Sequence, residues 1–95
     1  LVVWVQTILD LVPLLGGSKI AVEAPEGSTV RDVLAALVER GGEPLEKKLI
    51  NPADGAPYPY LRLVLNGRDI AFLEGLETAV RDGDTLLIFP PATGG

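Results

Sequence analysis

Only one long stretch of this chain carries a helical period. Val30, Val33, Leu34, Leu37 and Val38 fall at i, i+3, i+4, i+7 and i+8, a single apolar stripe, while Arg31, Asp32, Glu39 and Arg40 fall on the opposite side. The other strongly apolar runs are short and rich in β-branched or aromatic residues, the mark of strands. One helix cannot cover both faces of a sheet. The pattern therefore predicts an α+β fold: a mixed sheet of four to five strands with one main helix packed on it.

Boundary signals place these elements. Leu1–Val5 reads as a strand buried on both faces, and Lys19–Ala24 alternates as a second strand after the turn Gly16-Gly17-Ser18. The two are expected to form a hairpin with a long apolar connection. Thr29-x-x-Asp32 has the spacing of a capping box, so the helix is expected to begin at about Val30 and to stop in a left-handed turn at Gly41-Gly42. A short helical piece is expected over Leu45–Leu49, then an ordered loop over Asn51–Tyr60. Leu61–Leu65 is a strong strand. Asn66-Gly67 is the preferred type I′ pair and leads into Arg68–Ala71 as the returning strand. Phe72–Val80 reads as an irregular crossover, and Asp82-Gly83-Asp84 turns the chain into a last apolar strand, Thr85–Phe89.

Composition decides what such a fold can do by itself. The 95 residues include no Cys and no His. That removes thiolate nucleophiles, disulfides, imidazole bases and the common zinc ligand sets, and with them most self-contained hydrolases. A net charge of −5 disfavours nucleic acid, because Arg62, Arg68 and Arg81 are too scattered to form a basic stripe. An acidic carrier suits a partner with a basic groove. No apolar run is long enough to cross a bilayer, since Asp10 and Pro13 interrupt the greasiest stretch, Ile8–Leu15. No Lys or Arg precedes Lys19, so a signal peptide is not indicated and a cytoplasmic location is expected.

The chemistry is expected at the other end, in Pro90-Pro91-Ala92-Thr93-Gly94-Gly95. A globular body over residues 1–89 would carry an extended tail over 90–95. Proline fixes φ and favours extended backbone, so Pro90-Pro91 should project the tail off the last strand; six extended residues reach at most about 20 Å. Glycine lacks a Cβ, so Gly94-Gly95 could enter an active-site slot too narrow for any other residue.

The element order, the Asn-Gly hairpin, the Asp-Gly-Asp turn and the ending Phe-Pro-Pro-x-x-Gly-Gly together resemble a known family. They are similar to the ubiquitin-like β-grasp sulfur carriers, specifically the small subunit of molybdopterin synthase and related archaeal ubiquitin-like modifiers. The likeness spans essentially the whole chain and is most specific over Asp82–Gly95; Pro25–Leu34 also matches the segment entering the helix. Ile8–Gly17 departs from it, with Pro13 and a Leu-rich run in place of more polar residues.

The resemblance implies that the last strand lies parallel to the first at the sheet centre and that Gly95 carries the working carboxylate, with Gly94 beside it. A ubiquitin-activating-type adenylyltransferase would use ATP and Mg²⁺ to adenylate Gly95, and a persulfide donor would convert the adenylate to a thiocarboxylate. The molybdopterin synthase large subunit would then receive the sulfur. This chain itself would bind no cofactor or metal and would act as a carrier without its own active site.

For docking, Thr85, Leu87 and Phe89 share the strand face opposite Leu86 and Ile88, so Leu87 and Phe89 would form an apolar partner patch beside Pro90 and Pro91. Family analogy could extend it to Ile70 and Phe72, against the competing reading that both are structural. Trp4 is expected in the core. Asp82 and Asp84 flank a glycine, but the distal Glu of a calcium loop is missing, so a turn is the better reading. Glu74, Glu77 and Asp69 are expected to be solvated charges rather than an acid–base pair.

Three functions stay open on these residues. The first is sulfur carriage for molybdopterin synthesis, with thiamine synthesis or tRNA thiolation as variants of it. The second is a protein modifier joined through Gly95 to target lysines, for which Lys19, Lys47 and Lys48 are the chain's own candidates for self-conjugation. The third is a plain interaction module with an incidental Gly-Gly end.

Overall fold

The computed structural model describes residues 1–91; Gly94 and Gly95, with Ala92 and Thr93, lie outside the described residues. Chain order is β1 (Val2–Thr7), α1 (Leu11–Leu15), β2 (Lys19–Glu23), α2 (Val30–Leu49), β3 (Ile50–Asn51), β4 (Ala56–Pro57), β5 (Arg62–Leu65), β6 (Arg68–Asp69) and β7 (Thr85–Phe89). Two 3₁₀ turns, Ile70–Phe72 and Gly75–Glu77, bridge β6 to β7. Five strands form a mixed sheet in the order β2-β1-β7-β5-β6, while β3 and β4 pair as a separate small hairpin. The last strand runs parallel to the first and antiparallel to β5, at the sheet centre. This is the ubiquitin-like β-grasp architecture.

One face of the sheet is closed by α2, and the core lies between them. Val30, Val33, Leu34 and Leu37 are buried against Val3, Val5, Ile20, Val22, Leu63, Leu65, Leu86 and Ile88. Strand alternation supplies those positions, since every second side chain faces the helix. The helix starts where the sequence signals it: Thr29 is extended at φ −116° and ψ 175°, and its N–H donates to Asp32 Oδ2 at 2.9 Å. Its first turn is tied to the crossover, where Val30 N–H donates to Thr78 O and Val80 N–H donates to Ser28 O, each at 3.0 Å.

One local expectation holds and two change. Helical backbone breaks at Gly41-Gly42 as expected, with Gly42 at φ 71° and ψ −163°, and the expected second helical piece follows through Leu45 and Leu49, which are buried, so α2 is two helical segments joined at a kink. A side chain at Gly42 would be strained, so the glycine sets the bend. The long connection of the first hairpin contains a helical turn, α1, because Leu11 and Leu15 bury themselves against α2. Gly41 permits that approach: a Cβ there would lie 2.6 Å from Leu45 Cδ2 and 3.3 Å from Leu14 O. The Asn51–Tyr60 loop contains the β3–β4 hairpin and a stacked pair, Tyr58 and Tyr60, with ring centroids 5.1 Å apart.

Asn66 and Gly67 both take positive φ, 50° and 85°, as a type I′ turn requires. Asp82-Gly83-Asp84 is a hydrogen-bonded turn. Asp82 Oδ1 accepts from Val2 N–H at 2.7 Å, Asp84 Oδ2 from Arg81 N–H at 2.8 Å and Asp84 Oδ1 from Asn66 Nδ2 at 2.9 Å. Both carboxylates are thus committed to holding β7 against β1 and β5. No helix among the described residues is long and apolar enough to cross a membrane.

Candidate functional site

The site is built around the end of β7. Its inward side chains, Leu86 and Ile88, are fully buried, whereas Thr85, Leu87 and Phe89 are half-buried on the face that α2 leaves open. Cross-strand register places Leu87 beside Gln6 on one side and Val64 on the other, and Phe89 beside Arg62. Directly paired residues point to the same face, so these form one surface. Arg62 Nη2 reaches Asp69 Oδ2 at 3.4 Å across its edge.

The first strand ends one residue short of what the parallel ladder needs. Ile88 C=O points toward β1 just as that strand is leaving the sheet, and Thr7 Oγ1 donates to it at 2.8 Å in place of a main-chain N–H. Thr7 is buried, so its hydroxyl holds the exit of β7 in a fixed position. Two residues on, at the next position facing β1, Pro90 has no N–H to continue the ladder. Pro90 itself is buried and Pro91 is exposed, so the chain leaves the body at Pro91. Thr7→Val should cost about 1–2 kcal/mol by leaving the Ile88 carbonyl without that donor; urea unfolding checks this, and an unchanged midpoint would remove Thr7 from the anchoring role.

Beside this exit lies an open groove of about 330 Å³, lined by Gln6, Thr7, Ile8, Ser18, Lys19, Leu87 and Phe89. Ile8 is 44% exposed and adds an apolar wall from the end of β1. Sequence reasoning singled out none of Gln6, Thr7, Ile8 and Ser18 as a site residue, and named Lys19 only as a lysine for self-conjugation. The signal for them was the implied parallel pairing of first and last strands, which brings Gln6–Ile8 alongside Leu87–Phe89.

Other sequence candidates separate. Ile70 is 8% exposed and belongs to the core, so it is not available to a partner surface. It opens the 3₁₀ turn that follows β6, where its side chain folds under the sheet. Phe72, two residues on, is 86% exposed and is not a core residue. Trp4 corrects the reading of the first strand as buried on both faces: it is 39% exposed on the open face, with Lys19 Nζ 5.2 Å from its ring centroid. Asp69 and Glu77 are engaged apart from each other, Asp69 with Ala71 N–H at 2.9 Å and Glu77 with Arg31 at 2.9 Å.

Comparison with known proteins agrees with this architecture. The model of the ThiS family matches residues 10–95. Small archaeal modifier protein 3 of Haloferax volcanii is 37% identical over 82 residues, covering 86% of each chain. The sulfur carrier protein CysO of Mycobacterium tuberculosis is 34% identical over 92 residues, 96% of this chain and 94% of that protein. Among solved structures, SAMP1 from Haloferax volcanii superposes with a TM-score of 0.84 at 32% identity, covering 99% of both chains. With a matching family model over most of its length and the five-stranded sheet closed by one helix, the chain belongs to the ThiS family of ubiquitin-like sulfur carriers and modifiers.

Proposed function

We propose that this chain is a sulfur carrier whose Gly95 carboxylate is activated by a partner enzyme and delivers sulfur in molybdopterin synthesis. The observation that carries this reading is the central last strand: β7 is paired on both sides, clamped at Ile88 by Thr7, and leads through Pro90 and Pro91 toward Gly94 and Gly95. A rigid strand of this kind can aim a tail while an apolar face beside it, Leu87 and Phe89, docks the enzyme that acts on it.

The chemistry follows from the electronics of a carboxylate, whose delocalised charge makes it a poor electrophile. In the adenylyltransferase, with ATP and Mg²⁺, a Gly95 oxygen attacks the α-phosphate and pyrophosphate leaves. The acyl carbonyl of the adenylate no longer carries the delocalised carboxylate charge, and AMP is its leaving group. The terminal sulfur of a persulfide attacks the carbonyl, AMP departs, and a second thiol cleaves the acyl disulfide, leaving a thiocarboxylate on Gly95 and a disulfide on the donor. Donors that stabilise the oxyanion during these steps belong to the partner. The sulfur then passes, at the synthase large subunit, to the pterin precursor.

A second reading has its own support in the likeness to small archaeal modifier protein 3. There the same adenylate ends in an isopeptide bond to a lysine of a target protein. Intact-mass analysis of the protein from its native cell separates the two: a sulfur-for-oxygen replacement on Gly95 supports the carrier, and lysine-linked adducts support the modifier. Finding only free carboxylate with the activating enzyme and sulfur donor present would sink both.

For the docking face, Phe89→Ala should weaken binding to the activating enzyme or the large subunit by roughly 1–2 kcal/mol, as for an aromatic anchor at an interface. The melting temperature should change little, because Phe89 is not in the core. Unchanged affinity, or global unfolding, would reject Phe89 as a docking residue.

A further inference from the structure

The long free rim of the sheet runs along β2, and pairing geometry determines which of its backbone groups face outward. Leu1 and Ala24 exchange two hydrogen bonds of 2.9 Å, and Thr7 N–H donates to Ser18 O at 2.9 Å. Antiparallel alternation therefore turns Ser18, Ile20, Val22 and Ala24 toward β1, and Lys19, Ala21 and Glu23 away from it. Of the six outward N–H and C=O groups, only Ala21 O has a protein partner among the described residues, Arg40 Nη1 at 3.0 Å. Apart from that Arg40 contact, α2 leaves this rim open, with a groove of about 450 Å³ between β2 and the helix at Ala36 and Arg40. The opposite rim, β6, is only two residues long before it curls into a 3₁₀ turn.

We propose that this rim is a self-pairing surface, at which two copies of the chain join β2 to β2, antiparallel, about a two-fold axis at Ala21. The charge pattern selects a second copy as the occupant. In that register Lys19 stands opposite Glu23 of the partner subunit, and Glu23 opposite Lys19 of the partner subunit, so both cross-strand pairs carry opposite charge. Ala21, small and exposed, meets its own counterpart at the axis without a clash.

The same register pairs every outward group. Lys19 and Glu23 exchange two bonds across each end of the seam, and the two Ala21 residues exchange two at its centre. A carbonyl has two lone pairs, so Arg40 need not leave Ala21 O. Parallel, in-register pairing would put like charges side by side. A slip of one residue would set the outward groups of one strand opposite positions whose own groups already face β1, leaving them unpaired. The contact is a strand rim alone, well below the area of a stable dimer, so the association is weak and concentration-dependent. Because β7 lies two strands in from the seam, Leu87 and Phe89 stay open on both copies.

Amide NMR over a micromolar to millimolar concentration series tests this. The N–H signals of Lys19, Ala21 and Glu23 should move with concentration, while those of Ile20 and Val22, already bonded to β1, should move little. Glu23→Lys and Lys19→Glu should each weaken association about tenfold by setting like charges opposite each other, and the double variant should restore it. Circular dichroism melts verify that each variant is folded, and all these positions are exposed. Concentration-independent spectra, shifts centred on another surface, or a double variant no tighter than the single ones would overturn the proposal.

Discussion

Deleting Gly95, or replacing Gly94 with valine, should abolish the proposed activation of this chain by an adenylyltransferase while leaving the β-grasp body folded. Pro90 is buried and the core residues all lie between Val3 and Ile88, so neither change removes a core residue. The proposed reaction, by contrast, needs a terminal carboxylate oxygen at the α-phosphate of ATP. Misplacing a reacting group by about 1 Å can cost roughly a hundredfold in rate, and both changes displace or obstruct it by more. ATP–pyrophosphate exchange with the activating enzyme measures the loss, expected to be at least about a hundredfold, and circular dichroism checks the fold. Ordinary exchange by either variant would show that the Gly-Gly end is not the activated group, and would remove both the carrier and the modifier readings.

The second large effect lies in the strand that aims the tail. Leu86→Ala should destabilise the domain by about 3 kcal/mol, the sum of lost transfer energy and a residual cavity. Leu86 is completely buried at the sheet centre, with β1 on one side and β5 on the other, so the site has little freedom to collapse. For a domain of this size that corresponds to a fall in melting temperature of roughly 12–24 °C. The neighbouring Leu87→Ala should cost about 1 kcal/mol or less, because Leu87 faces the open side and is only half-buried. Urea unfolding of the two variants side by side distinguishes core from docking face within one strand. Equal destabilisation would mean that Leu87 is a core residue and that the proposed docking face is wrong.

Much of this was readable from local pattern. The stripe from Val30 to Val38, the Thr29 and Asp32 cap, the Asn66-Gly67 hairpin and the alternation of Thr85–Phe89 each depend on residues within a few positions of one another. Short-range geometry decides such features, so sequence spacing carries them. The misses share a different cause. Whether Trp4 is buried depends on which face of β1 the helix covers, and whether Ile70 reaches the surface depends on how the chain turns after β6. The helical turn Leu11–Leu15 holds its shape because α2 receives two leucines, which outweighs the poor helix signal of a segment containing Pro13.

The sequence by itself determined the class of fold, the order of its principal elements, the absence of Cys and His chemistry and the Gly-Gly ending, because these depend on residue type and local spacing. Tertiary structure decided which residues meet. Parallel pairing of the first and last strands brings Thr7 to Ile88, Gln6 and Ile8 to the groove beside Phe89, and leaves β2 as a free rim with Lys19 and Glu23 two residues either side of Ala21. Such contacts join positions about eighty residues apart, as Thr7 and Ile88 are with a separation of 81. Their formation depends on closing the whole chain around one core, which no local pattern encodes.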